Sequence, residues 1–181
     1  DGVLVGSSFD FSAAEVTVRA TNSGTFLVVV ANNPYNNAAG NGTYLLTLAK
    51  TGDPIVVSAS DEGGPMTNGV AYQGNMPIGD LDVWSFTASV GEAIVIKVGQ
   101  ITDAGSFDPW VRLYGPDGVL VGSSFDFSAA EVTARATNSG TFLVVIGNNP
   151  YHSDAGSGTY LLTLAKTGDP IVVSASDEGG P

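Results

Sequence analysis

Apolar and polar residues alternate along short stretches of this chain, the period-2 pattern of strands that bury one face. Val83-Trp84-Ser85-Phe86-Thr87-Ala88 and Trp110-Val111-Arg112-Leu113-Tyr114 alternate in this way, and Ala93-Ile94-Val95-Ile96-Lys97-Val98 is rich in β-branched residues. Further strands are predicted over 119–121, 131–136, 142–146 and 160–164. Turn signals separate them: Val90-Gly91-Glu92, Gly115-Pro116-Asp117-Gly118, Asn138-Ser139-Gly140 and Asn148-Asn149-Pro150. No stretch carries a sustained helical period. Seven short strands within about 100 residues predict an all-β fold, an antiparallel jelly-roll-like β-sandwich.

The pattern repeats. Asp1-Gly2-Val3-Leu4-Val5-Gly6 recurs as Asp117-Gly118-Val119-Leu120-Val121-Gly122, an offset of 116 residues that holds to Pro65 and Pro181. Seven of the 65 aligned positions differ: Val18/Ala134, Val30/Ile146, Ala31/Gly147, Asn36/His152, Asn37/Ser153, Ala38/Asp154 and Asn41/Ser157. Four of the seven fall in one Gly/Asn-rich stretch, which reads as a loop. A period of this length fits a whole domain rather than a solenoid repeat. The expected organisation is a second half of an upstream unit at 1–50, a linker at 51–65, a complete sandwich at 66–166 and a linker at 167–181. Thr51-Gly52-Asp53-Pro54 and Thr167-Gly168-Asp169-Pro170 break the preceding strands, and 55–60 is expected to form a short strand of its own. A larger tandem-repeat parent is expected.

Composition narrows the function classes. Eighteen acids against six bases give a net charge of −12, and charged residues are only 13% of the chain, about half the usual ~25%. Such a chain repels nucleic acid and anionic lipid. The longest apolar run, 26–31, falls far short of the ~20 residues that cross a bilayer, so no membrane insertion is expected. With no Cys there is no disulfide framework and no thiolate chemistry.

Gly79-Asp80-Leu81-Asp82-Val83-Trp84-Ser85-Phe86 resembles the G-D-x-D-x-[WY]-x-F opening of the bacterial pre-peptidase C-terminal domain. Phe107-Asp108-Pro109-Trp110-Val111-Arg112-Leu113-Tyr114 is similar to that family's F-D-P-x-L-x-L-[YF] segment. Gly140-Thr141-Phe142-Leu143-Val144-Val145 and Gly158-Thr159-Tyr160-Leu161-Leu162-Thr163-Leu164 resemble its two closing strands. The resemblance covers about 70–165, and the second half again at 1–49. It implies a non-catalytic β-sandwich in an extracellular or cell-surface setting. One related group, the collagen-binding domains of clostridial collagenases, binds collagen and calcium.

The only His is His152, and the other copy has Asn36 at that position, so a Ser–His–acid device would exist in one unit at most. The chain is therefore read as no enzyme. Calcium is the candidate cofactor. Asp61, Glu62, Asp80 and Asp82 fall where the collagenase modules hold their ion, and clustered carboxylates are what a hard cation takes. Set against this, Asp80 and Asp82 can equally cap a turn, with Asp61 and Glu62 solvated. Trp84, Trp110, Tyr114 and Tyr160 sit on strand alternation and are assigned to packing. Tyr35 and Tyr151, in the two Asn-Asn-Pro-Tyr loops, are the candidate ligand-binding residues.

The expected role is a structural spacer, stalk or fibre subunit whose partners are neighbouring copies of itself, with strand exchange between chains as a route to assembly. The alternatives are a binding module for an extracellular protein or polysaccharide polymer, and an accessory domain of a secreted peptidase.

Overall fold

The computed structural model describes residues 2–33, 35, 40–52, 55–103, 105–149, 151 and 156–172. Among them are nine strands and no helix: β1 (Gly63–Pro65), β2 (Ala71–Met76), β3 (Asp82–Ala88), β4 (Ala93–Asp103), β5 (Pro109–Tyr114), β6 (Leu120–Phe125), β7 (Ala129–Arg135), β8 (Gly140–Asn148) and β9 (Gly158–Lys166). They form two sheets, one ordered β1-β3-β8-β5-β6 and the other β2-β9-β4-β7. All pairings are antiparallel except β1 with β3.

The core lies between the sheets and follows the sequence alternation. Trp84 and Phe86 from β3, Val111 and Leu113 from β5, and Phe142, Val144 and Ile146 from β8 meet Ile94, Ile96 and Val98 from β4, Val132 from β7, and Tyr160, Leu162 and Leu164 from β9. Phe86 and Phe142 stack at 5.5 Å between ring centroids. Each fully buried aromatic or branched side chain contributes about 1.5–3 kcal/mol of transfer free energy.

Two strands lack a legible sequence signal. β2 reads Ala-Tyr-Gln-Gly-Asn-Met, too polar to alternate, and Gly74 is required there because a Cβ would lie 2.3 Å from the Tyr160 ring. β1 is Gly-Gly-Pro, a turn signal, within the stretch assigned to a linker. It pairs with β3 because Gly63 adopts φ 147° and has no side chain to strike Val83 O, which would lie 2.4 Å from a Cβ. Residues 55–60 do not form the expected strand. They run without a sheet partner into a turn closed by Asp61 N–H donating to Ser58 O at 3.0 Å.

Residues 2–50, despite their near-identity to the stretch that builds β6–β9, carry no strand among the described residues. Phe26, Val28, Tyr44, Leu46 and Leu48 are between 49% and 79% exposed, whereas their counterparts Phe142, Val144, Tyr160, Leu162 and Leu164 are at most 1% exposed. Among the described residues this segment meets the sandwich near Arg112 and at the entry to β3, where Leu46, Leu48 and Lys50 line one cleft with Leu81 and Val83. Glu15 pairs with Arg112, and Thr47 Oγ1 donates to Gly79 O at 3.3 Å.

Candidate metal centre

The chain enters β3 through a turn at 77–80, in which Asp80 N–H donates to Pro77 O at 3.2 Å. Asp80 Oδ1 then accepts from Leu81 N–H at 2.9 Å, the turn-capping role open to it from sequence. Two residues on, the strand alternation that places Trp84 and Phe86 in the core also turns Asp82 inward, and Asp82 is fully buried. Asp61 arrives from the segment before β1. Because β1 pairs with the start of β3, that segment is held beside Asp80 and Asp82.

Carboxylate oxygens of Asp61, Asp80 and Asp82 all lie within 4.8 Å of one another. Twice a calcium–oxygen distance of roughly 2.4 Å spans the same length, so one ion can touch all three. Asp82 Oδ2 accepts a short hydrogen bond from the Tyr160 hydroxyl, which in turn accepts from Trp84 Nε1 at 3.1 Å. Asp82 Oδ1 is buried with no hydrogen-bond partner. A buried, unpartnered carboxylate oxygen beside two further carboxylates is costly without a counter-charge. The residues present therefore fit a hard divalent cation.

The electrostatics agree. Burial pushes the Asp82 carboxyl up to about 8, against the pull of the Tyr160 hydrogen bond, with the charges of Asp80, Glu62 and Asp61 adding to the rise. Asp80 is also raised, first by burial and then by Asp61. Burial and the Asp82 charge hold the Tyr160 hydroxyl well above its ordinary value, so it remains a donor.

Of the four acids proposed from sequence, three come together. Glu62 is near enough to act on Asp82 but supplies no oxygen to the cluster; its N–H donates to Asp61 Oδ1 at 3.1 Å. The Tyr160 partner of Asp82 carries no sequence motif for this role; strand alternation marks it only as a core residue.

Tyr35 and Tyr151 are both exposed, at 76% and 78%. Each ring packs on a Phe of its own copy, Tyr35 on Phe9 at 4.9 Å and Tyr151 on Phe125 at 5.3 Å. Each N–H donates to an Asn two residues back, Asn33 and Asn149. Trp84 and Tyr160 are core residues. Trp110 instead lies on the outer side of its sheet under the Arg112 guanidinium, 3.8 Å from the ring centroid. His152 lies outside the described residues.

No family model and no curated protein matches the chain. Among solved structures it is similar to the pre-peptidase C-terminal domain of a collagenase from Bacillus anthracis, at 20% identity and a TM-score of 0.46, over 59% of this chain and 98% of that one. It is similar also to PliG, a periplasmic inhibitor of g-type lysozyme, from Aeromonas hydrophila, at 12% identity and a TM-score of 0.43, over 56% of this chain and 95% of that one. The Salmonella Typhimurium PliG gives 15% identity and a TM-score of 0.44, over 59% and 98%.

Proposed function

We propose that this chain is a structural repeat module of a secreted or cell-surface bacterial protein, and that calcium held by Asp61, Asp80 and Asp82 fastens the segment between units to the sandwich that follows. The observation that carries this reading is the unpartnered, buried Oδ1 of Asp82 inside a three-carboxylate cluster. One of the three acids lies before β1 and two lie at the start of β3, so a shared ion restrains the approach to the sandwich. The 116-residue near-identity supplies the tandem context. The test is direct titration of the chelator-treated chain with calcium by calorimetry, alongside Asp82→Asn. Saturable binding to the parent chain, lost in the variant, is expected; heat of dilution alone from both overturns the reading.

A second reading is favoured by the exposed Tyr151–Phe125 and Tyr35–Phe9 pairs, whose tilted rings offer aromatic surface to an extracellular protein or polysaccharide polymer. Co-sedimentation with insoluble collagen and cellulose tests it. Retention that falls when Tyr35 and Tyr151 are both changed to Ala supports a binding module, and no retention removes it.

A further inference from the structure

β8 is buried on both of its faces. Phe142, Val144 and Ile146 belong to the core between the sheets, yet Leu143 and Val145, which alternate with them, are at most 4% exposed. The outer face of an antiparallel sandwich commonly meets water, and a strand apolar throughout marks a sheet covered on both faces. Arg112, opposite Val145 in the β5–β8 register, lies on that outer face and is buried there. We propose that this face is the docking surface for the preceding repeat, whose four-stranded sheet stacks its own outer face against it. The proposal rests on the tandem-repeat reading, in which 1–50 is the second half of that preceding unit.

Three observations carry this. The first is charge. The Arg112 guanidinium lies over the Trp110 ring and pairs with Glu15 through Nη1, and its buried Nε and Nη2 have no hydrogen-bond partner among the described residues. A guanidinium withdrawn from water is stable only beside a carboxylate, so the surface selects an acid. The second is the side of the chain that makes contact. The half-buried residues among those described in 2–50 are, apart from Asn33, Ala13, Glu15, Thr47 and Ala49. Their counterparts at the 116-residue offset are Ala129 and Glu131 on β7 and Thr163 and Ala165 on β9. All four lie on the outward side of the four-stranded sheet. The residues that a finished repeat turns to its own core, Val16, Leu46 and Leu48, stay between 48% and 79% exposed. The third is local form. Thr17 Oγ1 donates to Glu15 Oε1 at 3.1 Å, as Thr133 Oγ1 donates to Glu131 Oε1 at 3.4 Å, so Glu15 is presented as it is on β7.

A preceding repeat can therefore close its own core and keep these contacts. The equivalent outward surface of 66–166, carrying Glu131, Thr163 and Ala165, would meet the Arg112 equivalent of the repeat that follows. Such an interface joins two different surfaces of the same unit, and it propagates as an open stack.

The experiment is a double-mutant cycle in the full chain, read by urea unfolding through Trp84 and Trp110, which both lie in the sandwich. Docking engages the folded sandwich and not the unfolded one, so it lowers the unfolding constant. Glu15→Gln and Arg112→Gln, singly and together, are expected to show a coupling of about tenfold in that constant. Single effects that simply multiply overturn the proposal. Ala49→Arg places a long charged side chain on the docking side and is expected to raise the unfolding constant severalfold. Glu131→Gln and Ala165→Arg, the same changes in the second copy, should stay within about twofold of the parent chain. Equal effects in the two copies overturn the proposal. Glu15 and Ala49 lie outside every strand of the sandwich, so this comparison decides the matter where Arg112→Gln fails to fold. Calcium titration of the same variants separates the two readings: binding retained without coupling overturns the stacking alone, and coupling retained without binding overturns the calcium site alone.

Discussion

The Tyr160 hydroxyl, on β9, donates across the core to Oδ2 of Asp82 on β3. One bond thus joins the two sheets and commits one oxygen of the carboxylate to the protein, leaving the other for a ligand. The consequences for ion binding and pH can be measured separately.

Calcium should stabilise the chain. Extracellular calcium modules bind at about 10⁻⁴–10⁻³ M, so 10 mM calcium stands at roughly 10–100 times Kd. That corresponds to about 1.4–2.7 kcal/mol and a rise in Tm of several degrees. Differential scanning calorimetry in calcium and in excess chelator checks this, and coincident transitions would sink it.

The metal-free chain should lose stability as pH rises. Asp82 holds its proton up to about pH 8 when folded, against about 3.9 in the unfolded chain. Between these values the folded state binds more protons, so stability falls across that window, and the raised Asp80 adds in the same direction. Chelator-treated protein is expected to melt higher at pH 5 than at pH 8. Calcium, which needs the ionised carboxylates, should reduce or invert the difference. A chelated chain that is more stable at pH 8 contradicts the assignment.

Asp82→Asn should separate the two effects. It removes the titratable carboxyl while keeping the size of the side chain, so the melt of the metal-free variant should lose most of its pH dependence between 5 and 8. The same variant should no longer respond to calcium. Urea melts at the two pH values, with and without the ion, read both.

Phe107→Ala should be severe. Phe107 is fully buried, and its backbone is tied by Asp103 Oδ1 and Gln100 Nε2. Loss of the ring costs about 3–5 kcal/mol. The sequence holds no second copy of this half, so nothing in the chain replaces it. A urea-denaturation midpoint close to that of the parent chain would contradict this.

Limited trypsin digestion should cut at Arg19 and Lys50 before the other four basic residues. Both precede β1 in a stretch without strands, whereas Lys97, Arg112, Arg135 and Lys166 lie within β4, β5, β7 and β9. Mass spectrometry is expected to show 51–181 as the first persistent product; early cleavage at Lys97 would be inconsistent with the fold.

The seven strands announced by alternation are all present, because burial of one face of a strand leaves its mark at every second residue. The other two were silent for opposite reasons. β2 is an edge strand whose inward Gly74 yields its place to Tyr160, and β1 joins its sheet through glycines that read as a turn. The acidic cluster was legible as residue types near Gly79 and before Met66. Which acid stays outside it was not, since Glu62 and Asp61 differ only in where the chain points them after the Ser58 turn. Nor could spacing reveal Tyr160, which lies 78 residues from Asp82 and meets it only across the packed sheets.

The bonds from Asn68 to Lys166 bear on mechanics. Tension applied along an array of such units would enter and leave each sandwich at one corner, bypassing most of its hydrophobic interior. In the tandem array proposed above, the repeat-to-repeat spacing would be set by the connecting segment more than by the length of the sandwich. The calcium proposed above would, on Asp61, gather part of that segment against the protein, so its release under load would let out slack before any strand is torn from its sheet. The array would lengthen in small reversible steps, with the concentration of free calcium setting the force at which they begin.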